Sequence, residues 1–132
     1  MARFALSLIL SLLWCSLGNA SVYQTMGRAR NLASQNRYTD AVRALDSVIN
    51  SPHSRTSLLF EAYDSRARCH KKSGNYSAAL ADYDAALGID ASELNRAIVS
   101  LNKTDLLIQT GQYSEAEKIL NDLPSPQKAQ YQ

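Results

Sequence analysis

The chain has 132 residues, enough for one small domain, and its 14 Lys and Arg against 12 Asp and Glu give a formal net charge of +2. So weak a charge gives no support for binding nucleic acid or an anionic membrane, and we expect neither as a partner. The chain has two cysteines, Cys15 and Cys69. If Cys15 leaves with the leader described next, the chain cannot form an internal disulfide, and its stability has to come from packing.

Residues 1–20 have the composition of a cleavable secretory signal. Arg3 precedes an apolar run that ends at Trp14, and the small residues Gly18 and Ala20 follow. The run is shorter than the ~18–20 apolar residues that cross a bilayer. We therefore predict cleavage after Ala20 and no membrane span in the mature chain. An uncleaved transmembrane anchor is the alternative.

A six-residue pattern then occurs three times, at Asn36–Ala41, Gly74–Ala79 and Gly111–Ala116. Each copy has a tyrosine in its third position, and these tyrosines are 38 and 37 residues apart. A period in this range is typical of stacked helical hairpins. The repeated pattern therefore indicates an array of three hairpins.

Each copy of the pattern combines the end of one helix with the start of the next. Its first residue, which is Asn36, Gly74 or Gly111, tolerates a left-handed backbone and can end a helix. The tyrosine begins the next helix, and the alanine three residues later lets the two helices approach closely. Apolar residues follow at helical spacing. They are Ala41, Val42, Leu45, Val48 and Ile49, then Ala79, Leu80, Tyr83, Ala86 and Leu87, then Ala116, Ile119, Leu120 and Leu123.

These residues resemble the tetratricopeptide repeat, most closely between Phe60 and Glu93. The matching positions are Tyr63, Ala67, Gly74, Tyr76, Ala79, Tyr83, Ala86 and Leu87. The first and third copies are looser, since Lys103 stands where the family usually has leucine and Ala91 replaces the usual closing proline. The resemblance implies an all-α fold, a right-handed superhelix (α-α solenoid) of three hairpins at about residues 22–55, 60–93 and 97–124.

The last residues resemble the start of another helix. Ser125 is a suitable capping residue, and Pro126 is suited to a first helical turn. Helical arrays normally need a polar capping helix over their last apolar face. We therefore expect residues 125–132 to begin a capping helix or a truncated further repeat, and favour the second.

No residue set in the sequence predicts an enzyme. Cys69 and His70 are neighbours on a helix and cannot face each other as nucleophile and base, so we expect a buried thiol and a core histidine. The acidic pairs Asp82/Asp84 and Glu115/Glu117 are predicted to lie on solvated helix surfaces. No metal site and no cofactor are expected.

In the tetratricopeptide family, the inner, concave surface comes from the first helix of each hairpin. A peptide-binding groove is therefore expected to contain Tyr23, Met26 and Arg30 from the first repeat, Arg68, Lys71 and Lys72 from the second, and Ile98, Leu101 and Ile108 from the third. Such a surface could hold an extended or partly unfolded peptide, with apolar anchors for affinity and charges for selectivity. A merely solvated face is the alternative, but it explains Ile98 and Leu101 poorly.

Some members of the family clamp the acidic tails of heat-shock chaperones with a set of lysine, asparagine and arginine residues. Here Met26 and Arg30 replace lysine and asparagine, Ser65 replaces asparagine, and Ile98 and Asn102 replace lysine and arginine. The clamp is therefore absent.

The signal, the hairpins and an apolar groove without the clamp resemble the N-terminal segment of the J-domain co-chaperones of the endoplasmic reticulum lumen. The stretches 26–30 and 111–117 look similar as well. This resemblance implies binding of misfolded clients and their transfer to a lumenal heat-shock chaperone. The His-Pro-Asp motif of the J domain does not occur in this sequence. The alternative is a repeat scaffold for complex assembly in the bacterial periplasm or envelope, or an extracellular one.

Two triplets fit the N-glycosylation pattern, Asn75–Ser77 and Asn102–Thr104. Asn75 is predicted to lie in a turn and is therefore the better acceptor.

Overall fold

The computed structural model describes residues 2–124, without the side chains of residues 2–5 and 15. This part of the chain contains six α-helices and no strand. The helices are α1 (Ala2–Ser34), α2 (Tyr38–Ile49), α3 (Thr56–Lys72), α4 (Tyr76–Leu87), α5 (Glu93–Gln109) and α6 (Tyr113–Asp122).

The helices pack in chain order. α1 pairs with α2, α3 with α4 and α5 with α6, and α2 and α4 also contact the first helix of the following hairpin. This arrangement confirms the predicted all-α solenoid of three hairpins. The helices after the turns begin at Tyr38, Tyr76 and Tyr113, as predicted.

The three turns within the hairpins have the same geometry. Asn36, Gly74 and Gly111 have φ angles of 60°, 80° and 78°. The next amide in each turn donates to the carbonyl five residues before it, as Asn75 N does to His70 O at 2.9 Å. This bond satisfies a carbonyl at the end of the preceding helix. The pattern that repeats in the sequence is thus a turn that repeats in the structure.

The helices meet at buried alanines, one in each hairpin. Ala41, Ala79 and Ala116 are buried at the start of α2, α4 and α6. Around the first lies a core cluster made by α1, α2 and α3. Its buried members are Val22, Met26, Ala29, Leu32, Ala41, Leu45, Val48, Leu58, Ala62 and Cys69.

A second core cluster joins α3, α4 and α5. Its buried members are Phe60, Ala67, Ala79, Tyr83, Ala86, Val99 and Leu106. Tyr83 is its largest fully buried side chain, and burial raises the pKa of its phenol to about 12. Because α3 contributes to both clusters, it links the first and second hairpins.

α1 runs without a break through the predicted cleavage point. Its large apolar side chains from Leu6 to Leu17 are exposed, and its buried residues begin at Val22. Within the described residues, the segment Leu6–Ser34 is long and apolar enough to cross a membrane, a test that a secretory signal also passes. Cleavage after Ala20 therefore stays a prediction, as does the alternative of an anchor.

Candidate interaction surface

The first helices of the three hairpins, α1, α3 and α5, form one surface, here called the first-helix face. Arg30 of α1 donates from Nε to Glu61 Oε1 of α3 at 2.8 Å. Lys71 of α3 forms an ion pair with Asp105 of α5. These two pairs connect neighbouring helices, and they place Arg30 and Lys71 of the predicted groove on this face.

Most of the predicted groove residues have exposed side chains. The exposed ones are Tyr23, Arg30, Arg68, Lys72, Ile98, Leu101 and Ile108, and Lys71 is half-buried beside Asp105. Exposure makes these side chains available to a ligand, but their binding role stays a prediction.

Met26 is the exception, and its assignment to the groove was wrong. Its side chain is 1% exposed and packs in the first core cluster. Val22, Met26 and Ala29 follow one another at spacings of four and three residues, which is the spacing of a buried helical stripe. Met26 therefore stabilises the first hairpin and cannot contact a ligand.

A cavity of about 380 Å³ opens between α1 and α3. Among its lining residues are Ala29, Arg30, Glu61, Arg68, Cys69 and Lys72. Three of these six side chains are cationic and one is acidic, so an anionic group would meet a favourable charge there.

Asp64 and Arg68 face each other on α3. Arg68 Nη1 lies 3.7 Å from Asp64 Oδ2. Burial raises the pKa of the Asp64 carboxyl above its ordinary value, and the nearby Arg68 charge and a hydrogen bond with Asn102 offset only part of that effect. The Asp64–Asn102 contact is a second link between α3 and α5.

The accessible apolar residues of the face are concentrated on α5. Leu94, Ile98, Leu101 and Ile108 are 70%, 46%, 50% and 47% exposed. Leu94 was missed by sequence reasoning, which began the third repeat at residue 97. Its position four residues before Ile98 is a signal that could have identified it.

A partly buried ion cluster lies away from this face and was not predicted. Arg66 Nη2 is 2.7 Å from Asp82 Oδ1, and Arg66 Nη1 is 2.6 Å from Asp46 Oδ1. These bonds raise the pKa of the Arg66 guanidinium, and Arg66 also stacks over the Tyr63 ring at 5.5 Å. The prediction that Asp82 lies on a solvated surface was wrong, because the Arg66 cation compensates its burial.

Lys103, which replaces the usual leucine, is also buried and paired. Its Nζ lies 2.8 Å from Asp84 Oδ1 and 2.9 Å from Glu115 Oε1. Burial lowers the pKa of Lys103, but the hydrogen bonds that its ammonium group donates to these two carboxylates, together with their charges, outweigh that effect, so the pKa is raised. Asp84 and Glu115 thus join α4, α5 and α6 through one ammonium group.

The remaining candidates for chemistry lie in structural positions. Cys69 is buried, and burial raises the pKa of its thiol, which keeps it protonated. His70 is half-buried, with Nε2 3.8 Å from Asp82 Oδ2. Within the part of the chain that the structure describes, no three His, Cys, Asp or Glu side chains are grouped to hold a metal ion.

Asn75 is exposed in the second turn, directly before α4, and its side chain makes no capping hydrogen bond. Asn102 lies inside α5, and the Thr104 of its triplet is buried. The difference favours Asn75 as the glycosylation site, and its modification stays a prediction.

These features define a helical-hairpin repeat protein with a partly apolar surface on its first helices. The family model of the tetratricopeptide repeat matches residues 70–132, from the end of α3 onwards. This match supports a tetratricopeptide repeat protein, as the resemblance of Phe60–Glu93 predicted. No curated protein and no solved structure gave a significant match. Tetratricopeptide repeats generally mediate protein–protein interactions and are usually non-enzymatic.

Proposed function

We propose that this chain is a protein-interaction module of the secretory pathway that binds misfolded or otherwise unfolded polypeptide, in a co-chaperone-like role. The observation that supports this most is the row of exposed apolar side chains Ile98, Leu101 and Ile108 on α5, the helix that the Lys71–Asp105 pair joins to α3. An apolar row exposed on a surface rimmed by polar groups is typical of a binding surface.

The physical reason for binding is the burial of this row. Polypeptides that have not folded expose apolar side chains. Each such side chain that covers Ile98 or Leu101 removes apolar area from water. Arg68 and Lys72, which are exposed on α3, supply charges that select among such segments.

The secretory location rests on the composition of residues 1–20. We place the mature chain in the lumen of the endoplasmic reticulum, where a lumenal heat-shock chaperone is the partner expected to receive its clients. A glycan on Asn75 of the chain isolated from its own source would support this location over the periplasm.

The experiment measures binding of a fluorescently labelled, reduced and carboxymethylated protein, which stays unfolded. The variant combines Ile98→Ser, Leu101→Ser and Ile108→Ser, and we expect at least tenfold weaker binding than for the parent chain. Leu120→Ser is the matched control, because Leu120 on α6 is 46% exposed, as Ile98 is. Equal binding by the parent chain and the triple variant would show that this face is not the binding surface.

A further inference from the structure

The exposed apolar residues of α5 follow the spacing of a helix-packing seam. Leu94, Ile98, Leu101, Asp105 and Ile108 are separated by steps of four, three, four and three residues. We call these five residues the α5 seam. Alternating steps of four and three are those of the core positions in a two-helix interface, where side chains interlock with those of a second helix.

The seam faces away from the core of its own domain. The buried residues of α5 centre on the side of the helix opposite Ile98 and Leu101; they are Val99, Lys103, Thr104, Leu106 and Leu107. The seam runs over fifteen residues from Leu94 to Ile108, and its fourteen steps of 1.5 Å give about 21 Å along the axis. It therefore offers about four helical turns of surface to a partner.

The shape of the apolar surface distinguishes a helix from an extended segment. An extended peptide crossing α1, α3 and α5 would pass over the Arg30–Glu61 and Asp64–Arg68 pairs, where apolar side chains gain little. A helix lying along α5 would keep its apolar stripe on the seam throughout. A helix also satisfies its own backbone hydrogen bonds, which the aliphatic side chains of the seam could not do for an extended chain.

The charge beside the seam indicates the polar residues of the partner. α3 is the neighbour of α5 on this face, through Lys71–Asp105. Among the described residues, Lys72 has no carboxylate within 4.0 Å, and the exposed Arg68 has Asp64 at 3.7 Å. Lys71 and Asp105 neutralise each other. Among the charges of α3 on this face, Lys72 is therefore the one left without an opposite partner among the described residues. It lines the α1–α3 cavity, and acidic side chains on the side of the partner that faces α3 would complement it.

We propose that the α5 seam binds an amphipathic helix of about four turns whose apolar stripe is flanked by acidic residues. This inference rests on the proposed function and specifies its ligand: the segment that the chain recognises is helical and acidic, whereas sequence reasoning expected an extended one. Asp105, the polar residue within the seam, is held by Lys71 and leaves the four aliphatic residues as the contact.

The test uses the chain expressed from Met1 in a secreting host and three labelled 21-residue peptides of designed sequence. The first has Leu and Ile at heptad core positions and Glu beside them. The second has the same composition in an order without helical periodicity, and the third has Lys in place of Glu. Fluorescence anisotropy is expected to show binding of the first peptide at least tenfold tighter than of the other two.

Variants of the chain locate the binding surface. Ile98→Asn with Leu101→Asn is expected to weaken binding of the acidic helix at least tenfold, while Leu120→Asn leaves it unchanged. Lys72→Glu is expected to weaken binding of the acidic peptide and to strengthen binding of the Lys peptide. Equal binding of the acidic and Lys peptides would overturn the acidic flank.

The remaining outcomes separate this inference from the proposed function. If the unfolded protein binds through Ile98 and Leu101 but the periodic and aperiodic peptides bind equally, the function stands and the helical ligand is wrong. If neither the unfolded protein nor any peptide binds, both are wrong. If sedimentation shows a dimer that Ile98→Asn dissociates, a second copy of the chain occupies the seam, and the proposed ligand is overturned.

Discussion

Arg66 joins three helices through two carboxylates, Asp46 on α2 and Asp82 on α4. Replacing it with alanine leaves Asp82, which is 5% exposed, without its cation in a buried position. We expect Arg66→Ala to lower the free energy of unfolding by about 2–4 kcal/mol, because an uncompensated buried charge is costly. Urea denaturation monitored by circular dichroism measures the change.

The control for Arg66 is Arg43→Ala. Arg43 is exposed and lies 3.7 Å from Asp40, so its loss is expected to change stability by less than about 0.5 kcal/mol. If Arg66→Ala lowered the free energy of unfolding no more than the control does, the ion cluster of Arg66 would contribute little to stability.

Asp64 gives a pH dependence whose sign follows from its burial. Its folded-state pKa is raised above the ordinary value of 3.8, so the folded chain binds this proton more tightly than the unfolded chain does. As the pH falls through the raised pKa towards 3.8, protonation of Asp64 therefore stabilises the folded chain. As the pH rises again, this stabilisation is lost. At pH 7 the ionised Asp64 costs free energy.

We accordingly expect Asp64→Asn to be more stable than the parent chain at pH 7, by on the order of 0.5 kcal/mol. This advantage should shrink as the pH falls through the window just above 3.8, because the parent carboxyl becomes protonated there. The difference between the two urea midpoints, followed from pH 7 to pH 3, isolates this group from other carboxylates. A variant less stable at pH 7 would contradict the expectation and indicate that the Arg68 charge dominates.

Among the elements of the fold, the left-handed turns can be tested by replacing glycine with alanine. We expect the replacement to lower stability in a turn and to raise it inside a helix. Gly74 has a φ of 80°, where an added Cβ is strained, whereas Gly27 lies inside α1 with open space around its Cβ position. We expect Gly74→Ala to destabilise by about 1–2 kcal/mol and Gly27→Ala to stabilise by about 0.5–1 kcal/mol.

Urea midpoints of the two glycine variants, measured side by side, check both signs. If Gly74→Ala were as stable as the parent chain, the turn would tolerate a right-handed backbone, and the repeated Asn36/Gly74/Gly111 geometry would not be required.

The hairpins could be predicted from sequence because their signals are local. A left-handed residue, a tyrosine and an alanine lie within six residues of one another in each copy, as in Gly74–Ala79, and they need no knowledge of the partner helix. The ion clusters could not be predicted in this way. Arg66 and Asp82 are sixteen residues apart, and their contact depends on how α3 rotates against α4.

Two errors on the candidate surface have different causes. Met26 was placed in the groove by transferring a family register, although its spacing to Val22 and Ala29 indicates the core. Leu94 was omitted because the start of α5 was expected at residue 97, and helix ends are the least certain part of a sequence prediction.

At the scale of the whole molecule, the two parts of α1 have opposite surroundings. Leu6 to Leu17 expose their large apolar side chains, and the buried side chains Val22, Met26, Ala29 and Leu32 all lie beyond Ala20. A long apolar surface of this kind in water calls for a membrane or for removal. Cleavage after Ala20 would remove it without touching the core, although the packing of His53 over Gly18 would be lost.

We therefore expect N-terminal sequencing of the chain released by a secreting host to begin at Ser21. A chain that starts at Ser21 should fold with every buried side chain of α1 in place. A chain that starts at Arg28 lacks Val22 and Met26, and its free energy of unfolding should be lower by about 3–6 kcal/mol, because two apolar side chains leave the first core cluster. Urea denaturation of the two chains measures the difference. Equal midpoints would show that residues 21–27 of α1 contribute nothing to the stability of the fold, and a released chain that begins at Met1 would favour the anchor.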